Sequence, residues 1–518
     1  MWQSAYAIKG NIFYSTSPTG IAAVEGGYLL VADGRLAGVF NQLPDACSGL
    51  PVEDYGDCLI IPGMTDLHVH APQFPFRGLG MDLELLDWLN TYTFPEEEKY
   101  SDLEYAAQVY SAFADAMRAS PTTRAVIFGT VHVPATRLLM DTMEKSGLIS
   151  YVGKVNMDRN ASDGLLETTK RSLADTKSWL EEASGYSRTR PVLTPRFTPS
   201  CTDKLMAALG NFKKKFGLPL QSHLSENPSE VAWVRELCPW SKHYAGTYDR
   251  FGLLNGRTIM AHCVYLDKEE ISLLRKRGCF IAHCPQSNMN LSSGVAPVRK
   301  YLDEGLNVGL GTDLAAGTNL SMFRAAADAV AVSKIRWRLL QEKSRPLTFA
   351  EAFYMATMGG GKFFGNVGSF LPGFEADILV LPEKRSGPRR GALQERLEQT
   401  LLLSGEDVCL RAKYVAGKKI FGAQGTEKLF PEAVSCIPKK YGESPEAVTM
   451  DAILRELERL DIPAERLTSK ERMQIIAALE KQGIFQLKGI VKNVALGLHC
   501  SQASVYRYIS QLKIGGIG

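Results

Sequence analysis

A (β/α)8 barrel is the fold class predicted for residues 61–365, and three features of the 518-residue sequence carry that reading. Short apolar runs alternate with longer segments of helical period, which implies parallel strands covered by helices. Polar residues collect at the C-terminal ends of those runs, the rim on which barrels place their chemistry. Neither a GxGxxG nor a P-loop pattern occurs to favour a doubly wound nucleotide-binding sheet. The whole chain reads as α/β, with a small composite β-sandwich domain and an all-α C-terminal module added to the barrel.

The elements follow in order. AYAIKGNIFYS and GGYLLVADGRLAGVF are β-type runs, the second broken by the turn signal Asp33-Gly34. Seven apolar runs follow: LIIPGMTDLHV, TRAVIFGTVHV, RPVLTPRFT, LPLQSHLS, RTIMAHCVYL, GCFIAHCPQ and NVGLGTDL, with helical segments such as KEEISLLRKRG between them. FEADILVL (374–381) and KYVAGKKIF (413–421) return to β character and are expected to complete the N-terminal unit, giving a composite domain of residues 1–60 and 366–425. Prolines 431, 438 and 445 with Gly442 mark 426–450 as a linker. Residues 451–518 form the helical module. Ile453, Leu454, Leu457 and Leu460 share one helix face. Thr468-Ser469-Lys470-Glu471 is a capping box opening a helix through Leu479. Two further helices are expected at about 487–498 and 501–512, the second capped by Ser501.

Composition bounds the function. Apolar residues at 45% and charged residues at 22% exclude disorder and coiled coil as the dominant state. A formal charge of +3 is too small to make the whole surface a polyanion binder, so any nucleic-acid role is local. Ten cysteines without a CxxC pair point to reduced thiols, and neither a signal-type N-terminus nor a long apolar span is seen, so a cytoplasmic protein is expected.

His68 and His70, two residues apart at the end of an apolar run, project from one face of a strand, the geometry of a metal-ligand pair. HxH alone fits two core or loop histidines equally well. His223, His262 and Asp313 each close another β run, in a chain with only eight histidines, and one barrel rim would collect them all. Imidazoles with a carboxylate and an open position suit one catalytic divalent metal, zinc first and iron (Fe2+) second.

PGMTDLHVH, HLSE, MAHC, HCPQSN and GTD, in that order, resemble the amidohydrolase superfamily. The resemblance implies that His68, His70, His223 and Asp313 hold the metal while His262 is catalytic, beside the attacking water. It further implies that Glu226, in the HxxE pattern, moves a proton from water to a ring nitrogen and that Asp313 accepts the other. His283 is given only a structural or supporting place, and His132 and His243 read as ordinary residues.

Within the superfamily, DLELLDWLNTYTFPEEE (82–98), TPRFTPSC (194–201), GKVNMDRN (153–160) and HAPQFPFRG (70–78) resemble the guanine deaminase family, over roughly residues 5–425. That resemblance implies deamination of guanine to xanthine and ammonia by attack of metal-bound hydroxide on C2. It makes Gln73, Arg196 and Phe197 the groups that recognise the purine, with Trp88 lining the same pocket. It also implies a homodimer. Without it, Arg196 would read as a rim salt bridge and Phe197 as core. Asn156 replaces the usual cysteine, and GTDLAAG places Leu314 and Ala316 where GTDVAGG is usual, which bears on substrate identity more than on reaction type. The competing readings are a transcriptional regulator with a purine-sensing barrel and an aminohydrolase acting on 8-oxoguanine, a pterin or a triazine. Cytidine-type base deaminases are excluded, because no H-x-E with P-C-x-x-C is present.

VALGLHCSQASVYRYI is similar to a helix-turn-helix, with His499 where glycine is usual, and residues 468–510 resemble the C-terminal DNA-binding domain of PAS-containing bacterial regulators. From Lys481 onward there are five basic residues and no acidic one, which suits phosphate contact with duplex DNA. Val505 and Ile509 are expected to face the module's core, leaving Gln502, Ala503, Tyr506 and Arg507 toward a groove.

Overall fold

Eight parallel strands form the barrel in this computed structural model, in two hydrogen-bonded stretches: Met64–His70, Thr122–Phe128, Ile149–Gly153 and Thr189–Pro191, then Leu220–Leu224, Thr258–His262, Phe280–His283 and Asn307–Leu310. The structure describes residues 4–384, 391–405 and 407–422, and further on 453, 456–457, 460, 467–481, 484–486, 490–498 and 500–514. The strand absent from the sequence expectation is Ile149–Gly153. Its five residues, ISYVG, are interrupted by Ser150 and end on Gly153, so they do not stand out as an apolar run, yet four of them are buried. The stretches meet where Leu193 bridges Leu220. The ring closes where the Asp313 N–H donates to the His68 carbonyl at 2.8 Å, and where the Thr312 backbone and hydroxyl donate to the buried Asp66 carboxylate at 3.1 and 2.5 Å.

The strands are largely buried because both faces are covered. All seven residues of Thr122–Phe128 are buried, as a parallel strand between a barrel interior and a helical layer requires. Several helices start at side-chain caps, and three end at the left-handed glycines 147, 217 and 278. Asp102 caps Leu103–Ala119, and Asp267 and Glu270 form a capping box on Lys268–Arg277. Gly278 (φ 71°) then reverses the chain into the next strand.

The N-terminal strands and those after the barrel share one seven-stranded sheet. Within it Ile378–Leu381 pairs antiparallel with the end of Val52–Pro62, so chain segments more than three hundred residues apart are neighbours. The strand Ile378–Leu381 alternates as its period demands. Ile378 and Val380 join Ile8, Ile12, Leu29 and Val31 in the small domain's own core, while Leu379 and Leu381 pack into the barrel's main cluster. Buried Arg124 of the barrel ties the two together, pairing with Asp377 at 2.7 Å and Glu375 at 2.6 Å.

Contacts divide the chain into Met1–Ser435 and Cys436–Gly518. The expected linker, 426–450, and the expected core residue Leu454 lie outside the described residues, as does His499. In the second unit, helices Ser469–Lys481, Val491–Gly497 and Gln502–Ile514 enclose Ile453, Ile475, Ile476, Leu479, Val494, Leu498 and Val505. Thr468 and Glu471 make the reciprocal bonds of a capping box, and Ser501 accepts from the Ser504 N–H. Val505 is fully buried and Ile509 packs at the edge. Tyr508, not singled out by the sequence, is buried with them. Among the described residues no helix is long and apolar enough to cross a membrane.

Candidate active site

The site lies where the barrel strands end. His68 and His70 close the first strand, His223 sits one residue before the end of Leu220–Leu224, His262 closes the next, and Asp313 follows Asn307–Leu310. The backbone is contorted here: Ser225, His262, Cys263 and Asp313 all adopt positive φ (49–68°), a conformation that non-glycine residues hold only when the surroundings impose it. One imposing element is the helix Pro228–Leu237. Its capping box brings the Glu230 carboxylate to the N–H groups of Glu226 and Asn227, at 2.7 and 3.2 Å, fixing the loop that carries Glu226.

Three imidazole nitrogens converge. Nε2 of His70 is 3.3 Å from Nε2 of both His68 and His223, and Oδ1 of Asp313 lies 3.1 and 3.4 Å from Nε2 of His68 and His70. His223 donates from Nδ1 to the Arg196 carbonyl at 2.6 Å, which leaves the Nε2 lone pair facing the cluster. Burial, reinforced by neighbouring histidines, holds His70 and His223 well below the ordinary histidine value, so both rings are neutral. Burial alone would raise Asp313, but the attraction and hydrogen bond of His68, with His262 and His70, outweigh it and keep the carboxylate ionised. Neutral lone pairs and a carboxylate aimed at one point are a donor set that fits a divalent cation.

His262 stands beside this cluster. Its Nδ1 is 2.9 Å from Oδ1 of Asn288, and its Nε2 is 3.3 Å from Oε2 of Glu226 and 3.7 Å from Oδ2 of Asp313. Its ring also lies close enough to His68 and His223 to share a metal with them, so distance alone does not separate ligand from catalyst. Glu226 is buried and accepts from the Ser293 hydroxyl at 3.2 Å. Burial, then repulsion from Asp313 and Glu230, pushes its carboxyl well above the usual range. Cys284, unnoticed in the sequence, lies within reach of His262 and Asp313. Burial followed by nearby negative charge raises its thiol, so it stays protonated and is a poor ligand.

The cluster opens into a cavity at the rim of the barrel. Gln73, Trp88, Arg196 and Phe197, the four expected recognition residues, line it together with Glu226, His262 and Asp313. Arg196 faces the cavity and also forms a buried two-pronged ion pair with Glu97 at 2.5 and 3.0 Å. Glu97 and Asn288 are the partners that sequence reasoning missed. Of the departures from the family pattern, Ala316 lines the cavity whereas Leu314 packs with Val69 and Leu320 behind it. Asn156 is buried away from the cavity, donating to Ser172 and Thr176 at 2.9 and 2.8 Å. His243 is held between Asp267 and Glu269, both at 2.6 Å, at the surface. His283 is buried on the strand before Asn307–Leu310, and burial, with His262, lowers it to about 3.

A barrel whose C-terminal rim gathers histidines, an ionised aspartate and a buried glutamate around one cavity defines a metal-dependent hydrolase. Residues 59–406 match the amidohydrolase family, and residues 449–510 match an HTH domain. The guanine deaminase of Dictyostelium discoideum is 41% identical over 378 residues, 71% of this chain and 84% of its own length; that of Escherichia coli is 35% identical over 440 residues, 80% and 97%. A crystal structure of guanine deaminase from C. acetobutylicum with guanine in its active site superposes with a TM-score of 0.79 at 44% identity, covering 81% of this chain and all of that one. The chain belongs to the amidohydrolase family and, within it, to the guanine deaminases.

Proposed function

We propose that this protein hydrolyses guanine to xanthine and ammonia at the cavity between Arg196 and the histidine cluster. The observation that carries the proposal is the cavity itself, lined both by Gln73, Arg196 and Phe197, which suit reading a base, and by Glu226, His262 and Asp313, which suit moving protons. His68, His70, His223 and Asp313 would hold one metal ion, zinc before iron. When bound, such an ion supplies an acidified water, its pKa brought from about 15.7 to about 7.

The side chains then have separable tasks. Arg196 donates to the carbonyl oxygen, Gln73 pairs with the ring edge, and Phe197 and Trp88 pack against the base. Glu226 delivers a proton to the ring nitrogen next to C2 and takes one from the attacking water. His262 presents Nε2 to the same water, because Nδ1 is occupied by Asn288. Asp313, ionised, passes the second water proton toward the amino group. The C2–O bond forms, the C2–N bond breaks, and ammonia leaves with the proton it needs. Ultraviolet assay of guanine consumption against ammonia release tests this, and turnover of a pterin or triazine instead would reassign the substrate.

We further propose the division of the chain read from its sequence: a composite β domain (1–60 and 366–425), a barrel (61–365), a linker (426–450) and a module (451–518) that binds duplex DNA. Gln502, Tyr506 and Arg507 are exposed on the helix Gln502–Ile514, which carries no acidic residue, as a groove-facing helix needs. A homodimer would present two such modules to paired half-sites.

A further inference from the structure

Glu97 is one of three consecutive glutamates, and its neighbours have other work: Glu96 pairs with Lys99 at 2.7 Å, and Glu98 is partly exposed. Glu97 is buried, and both its oxygens are spent on the residues assigned above to read the base. Oε2 accepts from Arg196 Nη1 at 2.5 Å. Oε1 accepts from Arg196 Nη2 and from Gln73 Nε2, each at 3.0 Å. The Gln73 carbonyl oxygen in turn accepts from the Ala315 N–H at 3.3 Å, and the guanidinium rests 5.2 Å from the Phe94 ring centroid. One carboxylate thus orients the arginine fork and the glutamine amide together, leaving further arginine N–H donors for a ligand oxygen.

Charge matters as much as orientation. Arg196 is the one permanently cationic side chain lining the cavity among the described residues. Alone, a buried guanidinium favours an anionic partner, because charge-assisted bonds in a dry site are strong and an uncompensated charge is costly. Paired with Glu97 it still donates hydrogen bonds, and the pair as a whole carries no net charge. Guanine is neutral at physiological pH, whereas xanthine gives up a ring proton more readily and is partly an anion. We propose that Glu97 is a positioning and specificity residue that makes the cavity select a neutral oxopurine and release the anionic product. The proposal rests on the guanine reading above.

The test is inhibition of guanine turnover by xanthine, measured for wild type and Glu97→Gln across the pH range in which xanthine loses its proton. The other titratable groups lining the cavity, His70, His223, Glu226, His262 and Asp313, are common to both proteins, so the difference between them reports Glu97. Wild-type inhibition should weaken as xanthine ionises. In Glu97→Gln it should strengthen instead, by roughly tenfold or more, with a higher KM for guanine, and Glu97→Asp should restore the wild-type trend in part. A Glu97→Gln enzyme whose guanine turnover falls while its xanthine profile matches wild type would reduce Glu97 to a packing role. If the variant does not fold, the wild-type profile decides alone, since inhibition that tightens with ionisation contradicts charge selection. If wild type does not turn over guanine, the functional reading fails separately, and calorimetric titration of both proteins with xanthine still reports whether Glu97 disfavours the anion.

Discussion

Nδ1 of His262 lies 2.9 Å from the side-chain oxygen of Asn288. The amide oxygen can only accept, so the histidine carries its proton on Nδ1 and turns an Nε2 lone pair toward Glu226 and the cavity. Asn288→Ala removes the constraint and lets the tautomer invert. Activity should fall about 10–100-fold with metal content unchanged, since an orienting partner is lost and no ligand is. Metal analysis beside steady-state rates checks this, and loss of metal in the variant would place His262 among the ligands.

Glu226→Gln should keep the metal and the fold and lose about 10²–10⁴-fold in rate, because the amide can neither take a proton from water nor give one to the ring. Guanine KM should change little, the recognition groups being elsewhere. A variant that retains more than half the wild-type rate would remove Glu226 from the proton path.

Asp377→Asn is expected to act on stability alone. It leaves the Arg124 guanidinium buried beside a neutral amide and with only Glu375 as counter-charge, and breaking a buried pair in this way typically costs about 3–5 kcal/mol. Chemical denaturation should report the loss while guanine KM stays at its wild-type value. An equal loss of activity in still-folded protein would show that the β domain does more than brace the barrel.

Arg507→Ala, which removes the only arginine of the helix Gln502–Ile514, should weaken salt-sensitive retention of duplex DNA and leave guanine turnover untouched. A chain ending at Gly422 should keep turnover and lose retention altogether. If full-length protein shows no salt-dependent shift with genomic fragments, the second unit serves packing or assembly.

The site was legible in the sequence wherever a residue's role follows from its place on a strand. His68, His70, His223, His262 and Asp313 could be gathered because each lies at the end of an apolar run, and parallel barrel strands end on one rim. Glu97 and Asn288 were not legible for the opposite reason. Their partners are 99 and 26 residues away, and a glutamate within PEEE or an asparagine within CPQSN carries no local period that announces burial. The strand Ile149–Gly153 was lost because Ser150 and Gly153 interrupt its apolar character, and Tyr508 because its hydroxyl-bearing ring reads as polar on a helix that buries it.

The central claim is that the histidine–aspartate cluster and the Arg196 cavity act as one guanine-deaminating centre. Its most direct measurement follows guanine loss and ammonia release by the full-length protein as metal is removed by a chelator and restored with zinc or iron. The account predicts one ammonia per guanine, turnover abolished by chelation and recovered on restoring the metal. Metal-loaded protein that leaves guanine intact while deaminating a pterin or triazine, or guanine turnover indifferent to metal, would contradict it.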